Sequence, residues 1–391
     1  MRFDNSEIAF SHMDDSALKR ASLLFSLMAN RFLGANGPKL IQMMLAMRLP
    51  IISLVKRTLF LQFCGGESID GTKETMRNLS KRGLGAILDY SVEGASNPAS
   101  FNAVMKEILS TIELAKSSDN IPFCVFKVSA IARTQLLEKV QSKEVLTKEE
   151  KAEFDLVEAR VLELCEKAAA CNVRIFIDAE ESWIQEPIDQ LAESMMAKFN
   201  KFSAVVFTTV QMYRIDRFEY IVNLLERAKT EGFKVGLKIV RGAYMEKERE
   251  RAVINHQLSP IHIDQYSTDR DYNLALEFCI HHKDIFSICA GTHNEYSTLK
   301  LVKLMEVHGI KNSDQNYYFA QLFGMSDHIS SALAKSGFNA AKYVPYGPVR
   351  EVLPYLFRRA EENSSIAGQS GRELSLLKKE IVRRRLKSIF K

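Results

Sequence analysis

The chain of 391 residues is 46% hydrophobic and 26% charged, with a formal net charge of +5. That length holds one large domain with appendages or two ordinary ones, and so small and spread a charge leaves no electrostatic footprint for nucleic acid. Six cysteines (Cys64, Cys124, Cys165, Cys171, Cys279, Cys289) form no CxxC pair, which argues against a zinc ribbon and for a reducing compartment. No apolar run is long enough to cross a bilayer. The N-terminus, MRFDNSEIAFSHMDD, lacks an apolar signal core, so a cytoplasmic protein is predicted.

Residues 1–82 carry no strand pattern and predict a helical arm, with helices over Ala17–Ala29 and Leu40–Phe60 and a turn at Cys64–Glu67. From there, short apolar runs alternate with amphipathic ones. Strands are predicted at Gly85–Ser91, Phe123–Ile131, Val173–Glu180, Ala204–Tyr213, Lys234–Val240, Phe286–His293, Tyr317–Phe323 and Ala341–Pro345. They are nearly continuously apolar, as strands buried on both faces are. Helices are predicted between them at Asn102–Ala115, Glu149–Ala170, Glu186–Phe199, Arg214–Thr230, Asp271–His282, Tyr296–His308 and Ser326–Ser336.

Strict alternation implies parallel strands with helical crossovers, and eight units match the size of a closed (β/α)₈ TIM barrel. An open doubly wound sheet is disfavoured because no GxGxxG follows any strand. The predicted organisation is an α/β chain: an arm over 1–82, a barrel over 83–363, and a tail over 364–391 made of a loop and a basic helix.

Barrel enzymes keep their chemistry where strands end, and the polar residues fall there: Asp89 and Glu93, Lys127, Asp178 and Glu180, Gln211, Lys238 and Arg241, Thr292 and His293, Gln321, and Tyr343. Taken singly, each fits ordinary packing. Lys127 and Asp178 can neutralise each other, His293 can be a hydrogen-bonded core histidine, and Asp89 can cap a loop. All eight ends reading this way is harder to ascribe to packing.

A second cluster follows strand eight, where Tyr355, Arg358 and Glu362 share one helical face and Arg359 adjoins them. Paired guanidinium groups grip a carboxylate in two places, although an ordinary surface Arg–Glu pair reads the same way. His256 and His262 have no carboxylate at ligand spacing, so no metal site is predicted. Ser91 and Ser129 lack a Gly-x-Ser-x-Gly setting.

The segments FCGGE…AILDYSVEG (63–94), KVSA (127–130), DAEE (178–181), LKIVRGAY (237–244), GTHN (291–294) and YVPYGP…PYLFRRAEEN (343–363) resemble proline dehydrogenase, a flavoenzyme family. Residues 145–200 are closer to its mitochondrial-type members. The resemblance implies a (β/α)₈ barrel with FAD across the C-terminal strand ends, and oxidation of L-proline to 1-pyrroline-5-carboxylate by hydride transfer from C5 to flavin N5. It implies that Arg358, Arg359 and Lys127 hold the proline carboxylate and that Tyr343, Tyr355 and Leu322 wall its ring. Asp178 pairs with Lys127 or approaches the amine, a task Glu93 shares. FAD contacts are implied for Gln211, Lys238, Arg241, Gly242, Ala243, Thr292, His293 and Glu362.

One departure stands out. Many bacterial relatives read Arg-Leu-Val-Lys-Gly-Ala-Tyr where this chain has Lys238-Ile-Val-Arg241, which puts a point charge in place of a fork beside the flavin.

The family passes electrons to membrane quinone, which implies peripheral contact with the inner face of a membrane. Leu374, Leu377, Ile381 and Phe390 among the basic residues of the tail offer an amphipathic helix for it; a helix packed on the barrel is the alternative. The next oxidation, of pyrroline-5-carboxylate, falls to a separate dehydrogenase. Two other classes stay open: a Schiff-base lyase or aldolase with Lys127 or Lys238 as nucleophile, and a non-catalytic, membrane-associated binding protein.

Overall fold

The structure, a computed structural model, describes residues 1–30, 37, 40–41, 43–44, 47, 50–92, 97–365 and 369–389. Among these residues eight strands form: β1 (Gly85–Tyr90), β2 (Phe123–Phe126), β3 (Arg174–Ile177), β4 (Val206–Gln211), β5 (Val235–Val240), β6 (Phe286–Gly291), β7 (Tyr317–Leu322) and β8 (Ala340–Tyr346). They close in chain order into one barrel, with parallel ladders from β1 to β7. All eight predicted strands are present.

Ten of the longer helices matter below: α1 (Asp15–Met28), α2 (Pro98–Lys116), α3 (Lys148–Ala170), α4 (Gln185–Phe199), α5 (Arg217–Glu231), α6 (Gln265–His281), α7 (Glu295–Val307), α8 (Asp327–Lys335), α9 (Leu353–Ser365) and α10 (Gln369–Ile389). Helices α2 and α3 begin earlier than predicted because capping boxes set their starts. Asn97 with Ser100 caps α2, and Thr147 with Glu150 caps α3. Part of the predicted helix Leu40–Phe60 lies outside the described residues.

The residues form two compact units. Ala86–Tyr90 with Gly94–Ala320 is one, and Met1–Gly85 with Ser91–Glu93 and Gln321–Lys391 is the other. In the first, side chains alternate across each strand, so β3 points Arg174, Phe176 and Asp178 to one face. The rings of Phe123 and Phe176 stack at 4.2 Å, with Phe207 edge-on to Phe123 at 5.2 Å. Gly236 on β5 leaves room for that packing, since a Cβ there would lie 2.5 Å from the Phe207 ring. The inner face is thus aromatic low on the strands and charged where they end.

In the second unit, Phe10, Phe25, Phe63, Leu356, Leu376 and Leu377 share one core. The tail is a long helix, and its apolar face goes into this core: Leu377 is buried, with Leu374 and Ile381 packed against the cluster. Arg383 and Arg384 bind the buried Glu380. Of the loop predicted over 364–371, residues 364–365 and 369–371 are helical, and 366–368 lie outside the described residues. Phe390 lies outside the described residues. No helix among the described residues is long and apolar enough to cross a membrane.

Asn200, just after α4, fills every hydrogen-bonding position of its amide. Its Nδ2 donates to the Val206 and Lys234 carbonyls, and its Oδ1 accepts from Val205 and Val206 N–H. Asn200→Ala leaves several buried backbone groups unpaired and should cost about 3 kcal/mol or more, read as a lower urea midpoint.

Candidate active site

Four charges from four strand ends line up in the first unit. Lys127 Nζ lies 3.7 Å from Asp89 Oδ1 and 4.0 Å from Asp178 Oδ2. Lys238 Nζ donates to the other Asp178 oxygen, Oδ1, which also accepts from Thr209 Oγ1 at 3.2 Å. Asp89, Asp178 and Lys238 are buried and Lys127 is half-buried.

The order is minus, plus, minus, plus, so each buried charge has an opposite neighbour and the set is neutral. The sequence paired Asp178 with Lys127 or set it toward the amine, and the Lys127 contact is present. Lys238 is its closer partner, because β5 brings that ammonium over the Phe176 ring, 5.0 Å from its centroid.

A second layer fixes the backbone around this set. Strand β2 ends at Phe126, earlier than predicted, and turns through a short 3₁₀ segment, Val128–Ala130. The turn is held because Ser129 gives both its N–H, at 2.9 Å, and its hydroxyl to Glu180. Gln211 Nε2 donates to the Glu180 carbonyl at 2.7 Å, while its Oε1 accepts from Ala243 N at 3.0 Å. Gln211 therefore ties the end of β3 to the exit of β5.

At that exit Gly242 has φ +146°, and a Cβ would lie 2.5 Å from the Tyr213 ring, so only glycine fits. Arg241 donates to Asp269 at 2.6 Å, Thr292 at 2.6 Å and Ser297 at 2.9 Å, and lies over the Tyr272 ring. Three of its five N–H groups are thereby used. Thr292 is buried and His293 half-buried just past β6.

The second unit carries the other predicted residues. Tyr355 and Arg359 stack on α9, with the guanidinium 5.0 Å from the ring centroid, and Arg358 is half-buried. Leu322 ends β7, and Phe323 N donates to the carbonyl of buried Tyr343 at 2.9 Å. Glu93 and the Glu362 side chain lie outside the described residues.

Three features escaped the sequence reading. Lys342, fully buried on β8, contacts Asp327 at 3.0 Å and donates to the Met325 carbonyl. Burial works against the Asp327 carboxylate, yet Lys342 and Arg82 hold it well below the usual range. A lysine inside the apolar run AAKYVPY was a visible signal for it. His262, for which no carboxylate stood at ligand spacing in the sequence, lies 2.7 Å from Asp271. Among the described residues no cluster of three groups suits a metal. Glu180 was named at the end of strand three, but its hold on the turn at Ser129 was not foreseen.

The proline dehydrogenase family model matches residues 72–372. Carbapenem antibiotics biosynthesis protein CarD of Pectobacterium carotovorum subsp. carotovorum is 33% identical over 334 residues, 85% of each chain. Mitochondrial proline dehydrogenase 1 of Arabidopsis thaliana is 32% identical, over 87% of this chain and 77% of that one. Among solved structures, proline utilization A from Bdellovibrio bacteriovorus, inactivated by N-propargylglycine, superposes with a TM-score of 0.72 at 17% identity. That match covers 93% of this chain but spans only 38% of the solved one, and it shows a shared fold.

Burial pushes the Glu180 carboxyl up to about 7, against the opposing pull of the Ser129 hydrogen bonds. A raised folded pKa means the folded state holds an extra proton between the ordinary carboxylate range and about 7, so this contribution to stability is lost as pH rises through that window. Glu180→Gln should remove up to about 3 kcal/mol of that pH dependence. Urea midpoints for both proteins between acid and neutral pH measure it.

Proposed function

The chain belongs to the proline dehydrogenase family, and from that premise we propose that it oxidises L-proline to 1-pyrroline-5-carboxylate with FAD, the first step of proline degradation. The observation that carries the reading is the neutral, alternating set Asp89–Lys127–Asp178–Lys238.

When bound, the flavin supplies the hydride acceptor. Arg241, the Gly242–Ala243 backbone, Thr292 and His293 would hold it, with Gln211 steadying that backbone. The fit rests on two features of this chain: a positive-φ glycine that lets backbone come close, and Lys238 and Arg241 as cations for an anionic cofactor.

Proline's carboxylate falls to Arg358, Arg359 and Lys127, and its ring to Tyr343, Tyr355 and Leu322. Fixing one end of a small rigid molecule aims the other. An ammonium has no electron pair for the new C=N bond, so the amine must be neutral when C5 reacts. The balanced charges add no net negative potential that would hold it protonated, and desolvation favours the neutral form. Asp178 orients the amine, and Glu93 shares that role.

A Schiff-base mechanism is disfavoured, because Lys127 and Lys238 each face carboxylates rather than the apolar or cationic surroundings that activate an amine. Electrons then pass to a quinone at the inner face of a membrane, and a separate enzyme consumes the pyrroline.

Arg358→Met and Arg359→Met should each raise KM for L-proline tenfold or more, by about 1.4 kcal/mol at least, while visible flavin absorbance persists. Unchanged KM in both would reject the clamp. In addition, purified wild-type protein should be yellow and bleach on anaerobic addition of L-proline. A colourless protein that free FAD cannot restore refutes the cofactor.

A further inference from the structure

We propose that the helix Met245–Ile254 is a strap clasped to the exit of β3, and that Ser182 and Glu248 are positioning residues whose contact sets how fast FAD leaves. The inference rests on the flavin reading of the site. The strap follows directly on Arg241–Tyr244, so its movement is passed to the backbone that would hold the cofactor.

This helix is not packed like the other crossovers. α3 buries Val157, Val161 and Leu164, and α5 buries Ile221, Leu224 and Leu225, as helices held by an apolar stripe do. The strap instead has six charged residues in a row, Glu246–Arg251, and its buried positions are Glu248 and Ala252. Its own large apolar groups face outward, with Val253 75% exposed and Ile254 67%.

Polar contacts hold it down. Glu248 accepts from both the N–H and the hydroxyl of Ser182, each at 2.6 Å. Lys247 donates to Glu181 at 2.8 Å, and Arg251 lies over the Trp183 ring, 4.4 Å from its centroid, while donating to Glu138. A carboxylate withdrawn from water is tolerable only when its oxygens are paired, and Ser182 supplies a donor to each. The receiving side is fixed independently. Gln141 donates to the Ser182 carbonyl at 2.7 Å and accepts from Glu186 N at 3.0 Å.

Such a clasp can open without exposing a core, because water replaces its hydrogen bonds. The strap therefore lifts while the barrel stays folded. Gly242, at φ +146°, stands at its root, where the backbone absorbs the turn.

The test is the rate of FAD release from the full-length holoprotein, followed as the rise in flavin fluorescence after dilution. Ser182→Ala and Glu248→Gln should each release FAD about tenfold faster, as loss of a hydrogen bond to a charged group predicts. Lys247→Ala with Arg251→Ala opens the same clasp from less buried positions and should accelerate release in the same sense, should Glu248→Gln fail to fold. Glu250→Gln, on the exposed side of the strap, should release at the wild-type rate. A merely structural contact would lower the urea midpoint and leave release unchanged, and that result in the clasp variants overturns the proposal while the flavin reading stands. Equal acceleration by Glu250→Gln overturns it too. A wild-type chain that takes up no FAD overturns both.

Discussion

Everything at the strand ends of the first unit depends on four charges, three of them buried, cancelling in sequence. An isolated ion in such a setting costs several kcal/mol, so none of Asp89, Lys127, Asp178 and Lys238 is tolerable without its neighbour. The cancellation works only while four strands hold their registers. Lys238 pairs in the ladders with Thr209 and Cys289, and Thr209 in turn bonds Asp178. A one-residue slip of β5 would send Lys238 to the opposite face and leave Asp178 facing one distant cation. Register and electrostatics therefore enforce each other.

The layer beneath explains how such a set stays in place. Glu180, Ser129, Gln211 and Ala243 form a relay of hydrogen bonds linking four βα exits, built mostly from backbone groups and neutral side chains. Its one ionisable member is more easily protonated than an ordinary glutamate. The relay thus adds little permanent charge to a region that already carries four.

The barrel was legible because buried parallel strands announce themselves as unbroken apolar runs, and all eight did. The polar strand ends were legible for the complementary reason: a charge that closes an apolar run is costly to bury unless it is paired or put to use. Pairings were not, because which lysine meets Asp178 depends on barrel closure, and β3 and β5 are 60 residues apart at these positions. The end of β2 was misjudged since KVSAI continues an apolar pattern, and only the distant Glu180 reveals that Ser129 turns the chain. The tail misled in the opposite sense. Its amphipathicity was real, but periodicity says that a face is buried without saying against what.

Lysine at position 238 suits the carboxylate and the ring that it meets. A guanidinium brings five N–H groups into a buried site and needs partners for most of them. Here Asp178 Oδ1 accepts from both Thr209 and Lys238, and its other oxygen faces Lys127. An ammonium, set over the Phe176 ring on one side, needs no planar match and can turn its three donors to what remains. The point charge suits a site that sets a carboxylate oxygen beside an aromatic face, as Asp178 and Phe176 do here.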